Sequence, residues 1–398
     1  MKKLKFIISL KYITCSSLLV FLLSNFSVFA QIPGAAQSER YLPILKGKKV
    51  ALVVNQTSMN GNKHLVDFLL AQKIKVSAIF APEHGFRGDH SAGEKVKSSI
   101  DSKTKLPVYS LYGAYKKPNA EQLQGVDIVV FDIQDVGARF YTYISTLHYV
   151  MESCAESNIP LLILDRPNPN GFYVDGPVLD TAYRSFVGMH PVPIVHGCTV
   201  AEYAKMINGE GWLKNHMKCR LEIIAVKNYT HQTSYKLPVK PSPNLPNMSS
   251  IYLYPSLCLF EGTPYSVGRG TKTPFEIVGK PGCTLGSDSF TPVHMPGIAD
   301  HPPFEGKKCN GYLLSDYGNN LAPYQGKINL FWLIELYKAE KEPSTFFTPF
   351  FDKLAGTPTL RLQISAGKSE EEIRASWQKD LQAYKKMRRK YLIYSSKE

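Results

Sequence analysis

Short, continuously apolar segments alternate with helical stretches between residues 48 and 167, and this alternation constrains the fold more than any other feature. Strand-like runs occupy 49–54, 74–80, 107–111, 127–131 and 160–164. Helical spacing of apolar residues occupies 64–72 and 143–157. Strands that are apolar throughout, rather than at alternate positions, are typical of a parallel sheet covered by helices on both faces. We therefore predict an α/β fold built on such a sheet.

The pattern changes after Pro167. A turn-rich segment is followed by a helix that begins at Thr199, by a strand over 221–226 and by a proline-rich crossover over 240–248. Glycine- and proline-rich loops then alternate with short β-like pieces, and a helical stretch over 369–392 ends the chain. We predict a catalytic α/β domain over 31–248 and a smaller α+β auxiliary domain over 249–398.

The first thirty residues have the pattern of a signal peptide. A basic start precedes an apolar stretch over 13–29, and Val28-Phe29-Ala30 is an acceptable cleavage site. No later segment is long and apolar enough to span a bilayer. We therefore expect an exported protein, periplasmic or secreted, without an integral membrane segment once the signal is removed.

The formal net charge of +14 raises the question of nucleic-acid binding. No basic stripe interleaved with aromatic residues lies near the polar loops, so nucleic acid is not expected as a partner. A basic surface in an exported protein is better suited to an anionic cell-wall polymer. The sequence does not indicate an oligomeric state.

Polar residues follow four of the predicted strands at the point where each strand ends. In a parallel sheet these ends share one edge, where ligands bind, so we expect the side chains to meet in one cleft. The residues in question are Glu83, His84 and Arg87 in the run 81–88, Tyr112, then Asp132, Gln134, Asp135 and Arg139, then Asp165, Arg166 and Asn168.

Several common chemistries lack their motifs. There is no G-x-G-x-x-G after the first strand, no Walker phosphate loop and no G-x-S-x-G nucleophile elbow. His84, His90 and Asp132 do not have the spacing of a metal site. We therefore expect no cofactor and no metal.

Carboxylates remain, and they suit glycoside hydrolysis, which needs a carboxyl group that protonates the leaving oxygen. Glu83 lies at a strand end close to Phe80 and Phe86, whose apolar side chains would favour the protonated acid. The second catalytic carboxylate is left open among Asp132, Asp135 and Glu261, with Asp132 and Glu261 taken as catalytic candidates.

Six motifs resemble one bacterial family. They are the segments 81–88 (APEHGFRG), 131–143 (FDIQDVGARFYTY), 164–169 (LDRPNP), 260–263 (FEGT), 266–271 (SVGRGT) and 295–297 (MPG). Together they resemble the NamZ-type exo-β-N-acetylmuramidases, formerly a family of unknown function. The resemblance implies a Rossmann-like domain with a smaller auxiliary domain and a cleft between them. It also implies release of terminal N-acetylmuramic acid from peptidoglycan-derived saccharides, with Glu83 as the general acid.

The lactyl carboxylate of N-acetylmuramic acid distinguishes this sugar from N-acetylglucosamine. A planar guanidinium recognises a carboxylate in a bidentate way, which makes Arg87, Arg139, Arg166 and Arg269 candidates. Tyr112, Tyr141 and Tyr143 could form an apolar or stacking wall for a sugar ring. The predicted substrate-binding set is completed by His84, Asp135, Asn168 and His196.

Two other functions remain open from the sequence. A non-catalytic peptidoglycan-binding module would use the arginines and aromatic residues but has no need of a strand-end acid such as Glu83. A metal-dependent cell-wall hydrolase or amidase would lose activity on incubation with a chelator.

Overall fold

The structure, a computed structural model, describes residues 30–83, 85–86 and 98–396. Its strands are β1 Lys49–Val54, β2 Met59–Asn60, β3 Lys63–His64, β4 Lys75–Ala81, β5 Ser99–Ile100, β6 Pro107–Ser110, β7 Ile128–Asp132, β8 Leu161–Leu164, β9 Leu221–Ile224, β10 Ile277–Lys280, β11 Asp288–Phe290 and β12 Cys309–Leu313. Its α-helices are α1 Ser38–Leu45, α2 Leu65–Ala71, α3 Tyr143–Glu156, α4 Val200–Gly209, α5 Met248–Leu257, α6 Ser315–Asn320, α7 Ala322–Gln325, α8 Phe331–Lys338, α9 Pro349–Ala355, α10 Thr359–Ser365, α11 Glu370–Ser376 and α12 Gln378–Arg388.

The central sheet has seven strands in the order β5-β6-β4-β1-β7-β8-β9. Every neighbouring pair is parallel except β5 with β6, which forms an antiparallel edge. The chain starts at β1 in the middle, moves outward through β4 and β6, and then continues on the other side of β1 with β7. This is the doubly wound order, in which the polar loops at the carboxyl ends of the strands face one side. The predicted α/β fold with a parallel sheet is therefore confirmed.

The two faces of the sheet belong to two separate apolar clusters. In β1, Val50, Leu52 and Val54 face the cluster that contains buried residues of α1 and α2. Ala51 and Val53 face the cluster that contains buried residues of α3 and α4. Because successive side chains of a strand point to opposite faces, a strand apolar at every position needs cover on both sides.

The C-terminal region combines helices with a small antiparallel sheet in the order β10-β12-β11. Capping boxes begin helices α4 and α11, with Thr199 capping α4 and Ser369 capping α11. The stretch 369–392 is not one helix, since α11 ends at Ser376 and α12 begins after Trp377. The division of the chain at residue 248 stays a prediction. Within the described residues, no helix combines the length and the apolar character that a membrane crossing requires.

Candidate active site

A cavity of about 940 Å³ lies at the carboxyl edge of the sheet, between strand-end loops and the C-terminal region. This volume falls in the range of sites that hold a small ligand. The wall residues with polar or aromatic side chains are Glu83, Tyr112, Lys116, Phe140, Thr142, Phe186, Tyr254, Glu261, Arg269, Asp300, His301 and Phe350.

β4 ends at Ala81 because the next residue, Pro82, has no N–H group to donate to the sheet. Glu83 follows directly after this strand end and lines the cavity. Its Oε2 accepts a hydrogen bond from the hydroxyl of Thr142 at 2.8 Å. The ring of Tyr112, at the end of β6, lies close by, and burial together with the Glu83 charge raises the pKa of Tyr112 to about 12. The Tyr112 phenol is therefore a neutral hydrogen-bonding group beside the Glu83 carboxyl group.

A smaller recess opens from the same wall and is lined by aromatic residues of three chain segments. Tyr141 and Tyr143 pack edge to face with ring centroids 4.8 Å apart, and Tyr254 packs against Tyr141 at 5.7 Å. Tyr141 and Tyr143 both donate to the carbonyl of Pro241, at 2.8 and 3.2 Å. Tyr141 is thus a buried part of the wall, with its hydroxyl directed to the backbone.

Glu261 and Arg269 form an ion pair in the cavity wall. Arg269 Nε donates to Glu261 Oε1 at 2.7 Å, and Glu261 Oε2 lies 3.6 Å from the thiol sulfur of Cys258. The Arg269 guanidinium also lies 5.0 Å from the centre of the Phe275 ring. Burial of the Arg269 guanidinium would by itself lower its pKa. The neighbouring Glu261 carboxylate outweighs this effect, so the pKa of Arg269 is raised above its ordinary value.

Asp132 and Arg166 do not line the cavity. Asp132 is the last residue of β7, and Arg166 follows β8, the neighbouring strand in the sheet; the two side chains bind each other there. Arg166 Nε donates to Asp132 Oδ1 at 2.6 Å and its terminal nitrogen donates to Oδ2 at 2.9 Å, with side chains only 4% and 0% exposed. Burial opposes ionisation, yet the Asp132 carboxylate raises the pKa of Arg166. Because each group satisfies the other, neither is available to substrate, and the expectation that they join the cleft is corrected.

Arg139 is also a structural residue rather than a ligand for substrate. Its side chain is fully buried and donates four hydrogen bonds to the backbone carbonyls of Pro177, Val192, Leu354 and Ala355, at 2.7–2.9 Å. Burial lowers the pKa of Arg139 to about 9. Since Leu354 lines the cavity, Arg139 supports the wall from behind without reaching the open space.

Asp135, Asn168 and His196 lie in a buried polar layer that does not line the cavity. Asp135 accepts from the Gly137 amide at 2.6 Å and lies 3.8 Å from His196 Nε2. Asn168 donates to the Cys198 carbonyl at 2.9 Å. These contacts hold the loops behind the wall in place. His84 and Arg87 lie outside the described residues.

Several wall residues were missed by the sequence analysis. Thr142 lies inside the motif 131–143, where its neighbours Tyr141 and Arg139 drew attention instead. Asp300 comes three residues after the 295–297 motif, and Lys116 and Tyr254 carried no local signal. In the part of the chain that the structure describes, no group of three or more His, Cys, Asp or Glu residues is arranged to hold a metal ion.

Comparison with known proteins gives consistent matches along the chain. The family model described as exo-beta-N-acetylmuramidase NamZ, N-terminal, matches residues 50–249, and the corresponding C-terminal model matches residues 252–394. The peptidoglycan beta-N-acetylmuramidase NamZ of Bacillus subtilis strain 168 is 42% identical over 373 residues, which cover 89% of each chain.

Two solved structures of DUF1343 family proteins from Bacteroides fragilis NCTC 9343 have the same fold. The first has a TM-score of 0.86 at 50% identity, and the second has a TM-score of 0.73 at 28% identity. Each match covers 92% of this chain and 99% of the other. Since the family models together span most of the sequence, this chain belongs to the NamZ family of exo-β-N-acetylmuramidases.

Proposed function

We propose that this chain is an exo-acting glycoside hydrolase that releases terminal N-acetylmuramic acid from peptidoglycan fragments, with Glu83 as the general acid. Family membership supports the reaction class, and the Bacillus subtilis relative is named for the same activity. Peptidoglycan-derived saccharides are then the substrate class.

The observation that carries the proposal is the position of Glu83 in the wall of the large cavity. Glycoside hydrolysis needs a carboxyl group within reach of the glycosidic oxygen, and a strand-end glutamate held by Thr142 meets this need. The hydrogen bond from Thr142 fixes one carboxylate oxygen, which limits the orientations of the group. A non-catalytic binding module would gain nothing from the Glu83 carboxylate, because its negative charge would repel the anionic sugar.

The second catalytic group is neither Asp132 nor Asp135 in this proposal, because both carboxylates are buried outside the cavity wall. Glu261 does line the cavity, but Arg269 and Cys258 occupy its two oxygens. Of the three carboxylates that the sequence left open, none stands ready as a nucleophile or base.

Replacement of Glu83 by Gln tests the proposal, since it keeps the shape and removes the proton donor. We expect turnover of a muramic acid-containing disaccharide to fall by about two to four orders of magnitude, the usual contribution of general acid catalysis. The loss should be smaller for a muramide with a very good leaving group, which needs less protonation. Glu121→Gln, an exposed glutamate, is the matched control.

Near wild-type turnover of the disaccharide by the Glu83→Gln variant would exclude Glu83 as the acid. A parallel incubation with a chelator addresses the metal-dependent alternative. Full activity after chelation supports the acid mechanism, and loss that is restored by added metal would contradict it.

We also propose that the chain is exported and cleaved after Ala30. The support is the signal-like pattern of the first thirty residues, and its use suits an enzyme that acts on cell-wall material. Sequencing the amino terminus of the protein recovered from the periplasm or medium tests this, with Gln31 as the expected first residue. Recovery of the uncleaved chain from the cytoplasm would contradict it.

A further inference from the structure

We infer that Arg269, held in place by Glu261, recognises the lactyl carboxylate of the substrate and thereby selects muramic acid over glucosamine. This inference rests on the proposed function and assigns a role to an ion pair within the same cavity. Glu261 then acts as a positioning residue and not as the second catalytic carboxylate.

The structure separates the candidate arginines by their partners. Arg139 is bonded to four carbonyls and Arg166 is bonded bidentately to Asp132, so neither can turn to a ligand. Among the arginines that the structure describes, Arg269 is the one that lines the cavity. Arg87 lies outside the described residues and is tested below.

Arg269 keeps most of its hydrogen-bonding capacity for a ligand. A guanidinium has five N–H donors, and Arg269 uses the one on Nε for Glu261. In the described part of the chain, its two terminal nitrogens donate no hydrogen bond. The side chain is 22% exposed, to the cavity that it lines. A carboxylate can therefore bind to the terminal nitrogens in the bidentate geometry that arginine favours.

The contacts of Glu261 fix the direction of this guanidinium. Glu261 lies on the 3-10 turn Cys258–Gly262 that follows α5. The next residue, Gly262, accepts from the Thr348 amide at 2.9 Å and lies so close to the Phe351 backbone that a Cβ atom would collide with it. The turn is closely packed, so the Glu261 carboxylate holds Arg269 Nε, and the Phe275 ring that lies under the guanidinium carbon gives a second contact.

Lys116 is the competing cation in the wall. Its ammonium lies 4.8 Å from the centre of the Phe186 ring and forms no ion pair within the described residues. An ammonium on a flexible stem is a point charge without a fixed fork, so it discriminates a carboxylate less well than a guanidinium held by two contacts. Lys116 is therefore the variant that distinguishes a general positive charge from a specific contact.

The test compares kcat/KM for a chromogenic N-acetylmuramide and for the matching N-acetylglucosaminide, which lacks the lactyl group. Arg269→Ala should lower the value for the muramide by about ten- to a hundredfold, the range for a lost charge-assisted hydrogen bond. The low residual value for the glucosaminide should change little, and a thermal unfolding temperature equal to that of the wild type should show that the variant is folded. Arg269→Lys should fall between Arg269→Ala and the wild type, because it restores charge without the fork.

The control for removal of an arginine is Arg220→Ala, since Arg220 is exposed at the amino end of β9, at the opposite edge of the sheet. Arg87→Ala and Lys116→Ala should keep the preference for the muramide. If either of them, and not Arg269→Ala, abolishes this preference, the assignment of Arg269 is wrong.

Glu261→Gln distinguishes positioning from chemistry. As a positioning residue, its loss should change KM for the muramide, with kcat for the glucosaminide and the pH profile left unchanged. A catalytic Glu261 would instead lower kcat for both sugars by a similar factor, and that result would overturn the inference. A wild-type enzyme that releases no muramic acid at all would refute the proposed function, whereas an active enzyme whose preference survives Arg269→Ala refutes only this inference.

Discussion

The buried pair Asp132–Arg166 leads to a quantitative prediction about stability. Its two hydrogen bonds, at 2.6 and 2.9 Å, join side chains that are 0% and 4% exposed. Removing one partner leaves the other charge buried without compensation, which costs about 3–5 kcal/mol. We therefore expect Asp132→Asn and Arg166→Met each to lower the free energy of unfolding by about this amount.

The double variant should be far less damaging than the sum of the two single variants. With both charges gone, no ion is left unpaired, and replacing a buried pair by neutral groups often costs little. We expect a coupling energy on the order of 3 kcal/mol in a double-mutant cycle. The assay is urea unfolding followed by tryptophan fluorescence, with equal m-values required across the four proteins.

If the change in unfolding free energy of the double variant equals the sum of the two single changes to within about 0.5 kcal/mol, this account of the pair is refuted. Turnover by the Asp132→Asn variant distinguishes a structural role of this carboxylate from a catalytic one. Well below the unfolding temperature, Asp132→Asn should retain turnover of the muramide, because the carboxylate does not touch substrate. A loss of turnover comparable with that of Glu83→Gln would return Asp132 to the list of catalytic residues.

Two further predictions concern other buried ionisable groups. Arg139→Met should lower the free energy of unfolding by more than about 3 kcal/mol, because four backbone carbonyls lose their donor, and a small effect in urea unfolding would contradict its structural role. Burial lowers the pKa of His148 to about 4, below its ordinary value near 6.5, so the stabilisation present above pH 6.5 should be lost as pH falls through 4. The loss is about 3 kcal/mol, and His148→Gln should flatten the pH dependence of unfolding over this interval, whereas an unchanged slope would contradict the assignment.

The central sheet was predictable because its strands carry their own signal. The predicted segments 49–54 and 107–111 correspond to β1 and β6 almost residue for residue, since each is apolar and bounded by polar or turn residues. The edge strand β5 was missed because its two residues, Ser99 and Ile100, are exposed and too short to form a pattern.

The site was only partly predictable. Glu83 and Tyr112 each follow a strand, and parallel strands place their carboxyl ends together. This rule predicts that the two side chains meet, and both line the same cavity. The same rule could not show that Asp132 and Arg166 would satisfy each other, since their pairing depends on β7 and β8 being neighbours. Nor could it show that Arg139 would turn away from the cavity toward carbonyls more than 200 residues away in sequence.

The most direct test of the central claim is to follow the products released from a peptidoglycan disaccharide that carries N-acetylmuramic acid at its non-reducing end. The wild-type protein should release free N-acetylmuramic acid and leave the matching disaccharide with terminal N-acetylglucosamine largely intact, as measured by mass spectrometry. Glu83→Gln should bind the first disaccharide without cleaving it. Binding without release by the wild type, or equal cleavage of both disaccharides, would contradict the account.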